Sequence, residues 1–142
     1  MVRRTILLGT VVVILLATTI SFAEAAGEMK ISGTVEGRRG DAVNINRYPL
    51  GYMREGGIRV VMDEITFESK SVEGSPSLAI VLRNLKTDET TVKFIKNRQQ
   101  GVGGVYLPVK SAGRYILEIR AAKYDGLVVP AGTIRYKGTV YI

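Results

Sequence analysis

The feature that most constrains this chain is an alternation of apolar and polar residues with period two, which runs through the segments after Gly27. In Met29–Glu36, apolar or small residues occupy every second position, and Lys30, Ser32 and other polar residues fill the positions between them. Such alternation puts one set of side chains on each face of a β-strand. No segment carries the stripe of an amphipathic helix. The body of the chain is therefore predicted to be all-β.

About eight such strands are separated by short turns rich in Gly, Pro and Asp. This spacing is typical of an antiparallel β-sandwich or barrel, and we expect a sandwich of jelly-roll or immunoglobulin-like type. The clearest strand is Arg114–Ala121, in which Leu117 should face the core and Glu118 the solvent. Replacing Leu117 by Ala should then cost about 2–5 kcal/mol, and replacing Glu118 should cost little.

Three other segments carry specific expectations. The apolar phase reverses at Asp63–Glu64, which predicts a bulge or a bend where the strand changes sheets. Leu78–Leu85 is almost continuously apolar, as expected for a central strand covered on both faces. Tyr48–Gly57 looks like a longer irregular loop.

The N-terminus resembles an export signal. Arg3 and Arg4 precede an uncharged apolar stretch, Ile6–Phe22, and Ala23–Ala25 has small residues where a signal peptidase cleaves. We therefore divide the chain into a signal peptide, 1–25, and a single β-sandwich domain, 26–142. The alternative is that residues 6–22 stay as an apolar membrane-spanning helix. Both interpretations place the body outside the membrane: extracellular, at the cell surface or periplasmic, and membrane-anchored in the second case.

The amino-acid composition excludes most catalytic mechanisms. The chain has no Cys and no His, which excludes disulfides, thiolate metal sites and every mechanism that uses a histidine base. The remaining carboxylates lie in solvated turns or on outward strand positions. We therefore predict no enzyme activity, no metal and no cofactor. The net charge is +7; nucleic acid would suit this charge but not the exported compartment.

The candidate binding region is a stretch in which arginines are interleaved with tyrosines, two residue types that binding surfaces favour. It would suit an anionic cell-surface polymer, lipid headgroups or a protein partner, although a solvated loop with ordinary arginines explains the same pattern. The residues are Arg38, Arg39, Arg47, Tyr48, Tyr52, Arg54 and Arg59.

The segment after the cleavage point suggests a second possibility. Met29, Ile31 and Val35 are apolar residues on one face of an N-terminal strand with little charge to discourage edge pairing. The strand must pair within its own sandwich or complete a neighbouring copy's sheet. The first outcome is favoured because most strands pair with sequence neighbours. The second would make the protein a self-assembling filament subunit.

The C-terminal half, Ser77–Ile142, resembles bacterial pre-peptidase C-terminal-like and related small secreted β-sandwich domains. The resemblance is carried by four segments and one turn: Leu78–Leu82, Lys86–Asp88, Val105–Val109, Ala112–Ile119 and Tyr136–Ile142. It implies an ancillary secreted domain without catalysis of its own. In that family, acidic residues on the first of these strands often hold calcium, but here the stretch has no carboxylate, so calcium binding is not implied. The function expected from the sequence is thus a non-catalytic structural, adhesive or binding module, or else a single-span accessory subunit of a membrane complex.

Overall fold

The computed structural model describes residues 27–72, 74–96 and 103–142, and this part of the chain contains strands and no helix. No described helix could therefore cross a membrane. The predicted signal or anchor segment lies outside the described residues. The nine strands are β1 Glu28–Arg38, β2 Asp41–Ala42, β3 Ile45–Met53, β4 Gly56–Ser69, β5 Ser77–Asn84, β6 Thr90–Ile95, β7 Gly103–Val109, β8 Gly113–Ala122 and β9 Gly132–Tyr141.

The strands form two antiparallel sheets, one with the order β2-β1-β9-β4-β7 and one with the order β3-β8-β5-β6. Apart from the two-residue β2, the strands pair in a nested pattern: β5 with β6, β4 with β7, β3 with β8 and β1 with β9. Successive nested pairs alternate between the sheets, so the topology is that of a long hairpin rolled up on itself. The predicted all-β sandwich is confirmed, and of the two types expected the topology is the jelly roll.

The core lies between the sheets and is built from the inward phase of each strand. Ile31 and Val35 of β1, Val60 of β4 and Leu117 and Ile119 of β8 are almost completely buried there. Because alternate residues point to opposite faces of a strand, the outward phase of each sheet is free to carry polar side chains.

The phase reversal predicted at Asp63–Glu64 is a bulge, located between Met62 and Glu64, and β4 stays in one sheet. Strand β5 is buried on both faces except at Arg83, as expected of a central strand.

The expectation of a loop over Tyr48–Gly57 is wrong, because Ile45–Met53 forms strand β3 and Gly56 begins β4. Pro49 is tolerated because β3 is an edge strand, where a missing amide donor costs no ladder hydrogen bond. Gly51 supplies the positive φ of 75° where the register shifts between Pro49 and Gly51.

Apart from the two-residue β2, consecutive strands alternate in direction, so the turns collect at two ends. We call the lower end the one with the turns at residues 54–55, 85–89 and 110–112, together with Gly27 and Ile142. The backbone of Ile142 donates a hydrogen bond to the carbonyl oxygen of Gly27 (3.0 Å). The upper end holds the connections around residues 39–44 and 123–131.

Candidate functional site

The two sheets carry very different charges. The strands of the four-stranded sheet contain a single acid, Glu118, and its cations are Arg47, Arg83, Lys93, Arg114 and Arg120. The strands of the five-stranded sheet have Lys30, Arg38, Arg59, Arg135 and Lys137 with Glu28, Glu36, Asp41, Asp63, Glu64 and Glu68. We call the outward surface of the four-stranded sheet the arginine face, and that of the five-stranded sheet the mixed face.

The arginines are regularly spaced across the arginine face. The outward positions of β8 include Arg114, Ile116, Glu118 and Arg120, and the register places Arg83 beside Ile116 and Arg47 beside Glu118. Outward positions recur every second residue, so the rows that carry these four arginines are about 6.6 Å apart along the strand direction, and Arg114 and Arg120 lie about 20 Å apart. Neither of these two forms an ion pair with any residue in the described ranges.

Glu118 lies at the centre of this face between two arginines. Its Oε1 accepts hydrogen bonds from Nε and Nη2 of Arg83 (3.0 and 2.9 Å), and its Oε2 accepts one from Nε of Arg47 (3.1 Å). Arg83 also donates to Asp88 (2.9 Å). These bonds, that to Asp88 first, raise the pKa of Arg83 and keep it charged.

The expectation that Glu118 faces solvent and is dispensable therefore needs correction. The residue does point outward, but it is only 5% exposed because the two arginines and the neighbouring strands cover it. Removing it would leave two arginines close together without their shared carboxylate.

At the lower end the arginine face opens into a groove of about 670 Å³ with mostly apolar walls. Tyr52 and Leu85 are its exposed apolar side chains (68% and 57%), and Arg114 and Lys86 supply positive charge. Tyr52 and Arg114 are cross-strand partners in the register of β3 and β8. We call this the lower groove; its lining residues are Tyr52, Asn84, Leu85, Lys86, Thr87, Ser111, Ala112, Gly113 and Arg114.

The walls of the lower groove are held by local hydrogen bonds. The buried side chain of Asn84 accepts from the backbone amides of Lys86 and Thr87 (2.9 and 3.1 Å), which fixes the turn after β5. The amide of Leu85 donates to the carbonyl oxygen of Arg114 (2.9 Å). Across the groove, the hydroxyl of Tyr115 donates to the carbonyl oxygen of Ser111 (2.6 Å). The groove is therefore formed before any ligand arrives.

The structure distributes the residues of the candidate Arg–Tyr stretch over several surfaces. Arg38 and Arg39 lie at the upper end, where Arg38 pairs with Glu36 (3.1 Å). Tyr52 lines the lower groove, and Arg54 lies in the exposed turn beside it. Arg47 belongs to the arginine face.

The remaining two residues of the stretch have other surroundings. Arg59 is on the mixed face, over the ring of Tyr141 (5.1 Å). Tyr48 points between the sheets and donates to the carbonyl oxygen of Ser32 (3.0 Å). The stretch is thus not one surface, although Arg47 and Tyr52 share a face; binding by each residue stays a prediction.

Tyr48 is part of a seam of side chains that joins the two sheets. Asn44 and Asn46 donate to the carbonyl oxygen of Thr34 (2.8 and 3.3 Å), and Tyr48 bonds the hydroxyl of Tyr136 (2.5 Å). Burial, followed by the bond with Tyr48, raises the pKa of Tyr136. These side chains occupy the carbonyl oxygens of Ser32 and Thr34 in β1. They therefore also protect this edge of β1 against pairing with a further strand.

The N-terminal strand pairs within its own chain. β1 matches β9 from Glu28–Tyr141 to Gly37–Gly132, with Ile31 and Val35 buried in the core and Met29 partly buried against it. Exchange of this strand between copies stays a prediction. Deleting residues 26–35 tests it, because a stable monomer that no longer assembles would support exchange and an unfolded product would oppose it.

Sequence reasoning missed the importance of Arg83, Arg114 and Arg120, which are far apart in the sequence. The alternation of β8 puts Arg114 and Arg120 in the outward phase, but only the pairing of β8 with β3 and β5 brings Arg47 and Arg83 beside them. The available signal is that the segments forming β3, β5, β6 and β8 contain a single acid. Within the described residues, no group of three or more acidic side chains could hold a metal ion.

No protein-family profile and no curated protein matches the chain. One similar solved structure is a family GH115 4-O-methyl-α-glucuronidase, BtGH115A, with specificity for decorated arabinogalactans. It has 16% identity and a TM-score of 0.46, and the match covers 82% of this chain but only 16% of the enzyme. Another is the virus-like particle of the extra small virus of the prawn Macrobrachium rosenbergii, with 12% identity, a TM-score of 0.23 and coverage of 80% and 79%. Neither likeness is close enough to carry a functional argument, and the resemblance to pre-peptidase C-terminal-like domains stays a prediction.

Proposed function

We propose that this protein is an exported, non-catalytic jelly-roll module that binds an anionic polymer at the cell surface through its arginine face. The observation that carries the proposal is the charge of that face, where four arginines in successive rows meet one buried carboxylate of the sheet, Glu118, and one carboxylate of the neighbouring turn, Asp88. A surface that served solubility alone would mix both signs, as the mixed face does. Export rests on the N-terminal signal, and a retained anchor at residues 6–22 is compatible with the same binding role.

Two features of the arginine face suit a polymer. The Arg114–Arg120 distance of about 20 Å exceeds the reach of one small anion, so a chain of charges is needed to contact the face along its length. Glu118 holds Arg47 and Arg83 in place, which reduces the side-chain entropy lost on binding.

The test measures binding of the purified chain to polygalacturonate and to polyphosphate, with neutral dextran as the control ligand. The double variant Arg114→Gln, Arg120→Gln should bind both polyanions at least about tenfold more weakly, since each lost charge-assisted contact is worth about 1 kcal/mol or more. The matched control is Arg135→Gln, Lys137→Gln, which removes the same charge from the mixed face and should change affinity less than about twofold. Equal losses in both double variants, or binding to dextran as strong as to the polyanions, would overturn the proposal.

A further inference from the structure

We infer that the lower groove seats a sugar ring, so that the polymer bound by the arginine face is an acidic polysaccharide rather than a ring-free polyanion such as polyphosphate. This inference rests on the proposed function and narrows its ligand. Three features of the groove support it: its walls, its charge and its continuity with the arginine face.

The walls fit the shape of a pyranose. A pyranose ring presents C–H groups on its faces and hydroxyls around its rim, so it needs an apolar surface next to polar groups. Tyr52 and Leu85 provide the apolar surface, and Thr87 and Ser111 lie in the same lining. A groove of about 670 Å³ is well within the size range of small-molecule sites. A phosphate chain would leave Tyr52 and Leu85 without contact.

The charge of the groove selects an acidic sugar. Arg114 and Lys86 are its charged lining residues, and neither forms an ion pair within the described ranges. A carboxylate on the ring would face Arg114, whose planar guanidinium binds carboxylates through two parallel bonds. A neutral sugar would leave both cations without a counter-charge.

The groove also continues into the arginine face. Tyr52 and Arg114 share one row of the register, and the next rows carry Arg83 and Arg47. A ring seated beside Tyr52 therefore places the following units of the polymer over these arginines. The face would bind the charges, and the groove would recognise the ring.

The test compares polygalacturonate with polyphosphate on the same variants of the purified chain. Tyr52→Ala should weaken binding to polygalacturonate about tenfold, which corresponds to roughly 1.4 kcal/mol, and change binding to polyphosphate less than twofold. Tyr52→Phe should retain binding because the ring surface is kept. Tyr106→Ala is the matched control, since Tyr106 is similarly exposed (57%) at the same end but belongs to the five-stranded sheet.

Three results would overturn the inference. Tyr52→Ala could lose affinity equally for both polymers, it could lose affinity for neither, or the wild-type chain could bind polyphosphate more tightly than polygalacturonate. Its failure is distinct from failure of the proposed function. The double variant Arg114→Gln, Arg120→Gln could weaken binding to both polymers while Tyr52→Ala weakens binding to neither. In that case the arginine face binds polyanions and the groove does not recognise a ring. Thermal melting of each variant establishes that the fold is kept.

Discussion

The arginine face and the mixed face cover the same core, yet their surfaces follow different rules. On the mixed face Lys137 pairs in register with Glu64, and Arg135 lies one row from Glu64 and Glu68. On the arginine face the outward strand positions are filled by cations, apolar residues and hydroxyl residues such as Thr90, and the one acid among them, Glu118, is buried. The fold requires only the inward phase of each strand to be apolar. The difference between the outward phases therefore reports something other than folding.

Accumulated like charge is unfavourable for a compact domain because it repels itself. The mixed face avoids this repulsion, and the arginine face reduces it at Glu118, between Arg47 and Arg83, and at Asp88, which pairs with Arg83. Arg114 and Arg120 have no such partner within the described ranges. A surface that keeps unpaired cations is expected where a partner supplies the missing negative charge.

The largest expected effect tests whether the two faces share one core. Leu117 lies under the arginine face and Ile134 under the mixed face, and both are fully buried. Replacing either residue by Ala should lower the free energy of unfolding of the protein by about 2–5 kcal/mol, as measured in urea. A cost confined to one of them would show that only one sheet carries the stability, and the comparison of faces on a common core would not hold.

The next effect compares one outward acid from each face, Glu118 and Glu64. Glu118→Ala should cost about 1–3 kcal/mol, less than a fully buried ion pair because Arg47 is half exposed. Glu64→Ala on the mixed face should cost less than about 0.5 kcal/mol, since Glu64 is exposed. Equal costs in urea unfolding would mean that the arginines gain nothing from Glu118.

These expectations show which parts of the molecule the sequence predicts. Alternation identified β1 and β8, and the apolar run identified β5, because burial of one or both faces leaves a direct pattern in neighbouring residues. The strand over Ile45–Met53 was hidden by Pro49 and Gly51, which are typical of loops and are tolerated here only at a sheet edge and a bulge.

The candidate site was less predictable for a related reason. Glu118 follows the outward pattern of a solvated residue, and its burial depends on Arg47 and Arg83, which are distant in the sequence. The jelly-roll pairing that brings them together is set by nested long-range contacts that no local pattern encodes. Tyr48 was predicted as a binding residue for its type, but its position in β3 turns it towards Tyr136 instead.

The seam that joins the sheets should make stability depend on pH at alkaline values. The pKa of Tyr136 is raised in the folded protein, whereas an unfolded tyrosine titrates near pH 10. The stabilisation is therefore complete below about pH 10 and falls as the pH rises above it. Tyr136→Phe should cost about 1 kcal/mol at neutral pH through its lost hydrogen bonds and should flatten this alkaline decline. Tyr52→Phe is the control, and a decline as steep in Tyr136→Phe as in the wild type would contradict the assignment.

The smallest expected effect is also the most direct comparison of the two faces, because it concerns the sign of a change. Arg120 lies one row from Glu118, which Arg47 and Arg83 already bond, whereas Arg135 lies one row from Glu64 and Glu68. Arg120→Gln should therefore stabilise the protein by a few tenths of a kcal/mol at low salt, and Arg135→Gln should destabilise it by a similar amount. Both changes should vanish near 1 M salt, where screening acts within about 3 Å. Urea unfolding at low and high salt measures both. The same sign for the two variants at low salt would mean that the faces do not differ in electrostatic environment, and the arginine face would lose its basis as a polyanion site.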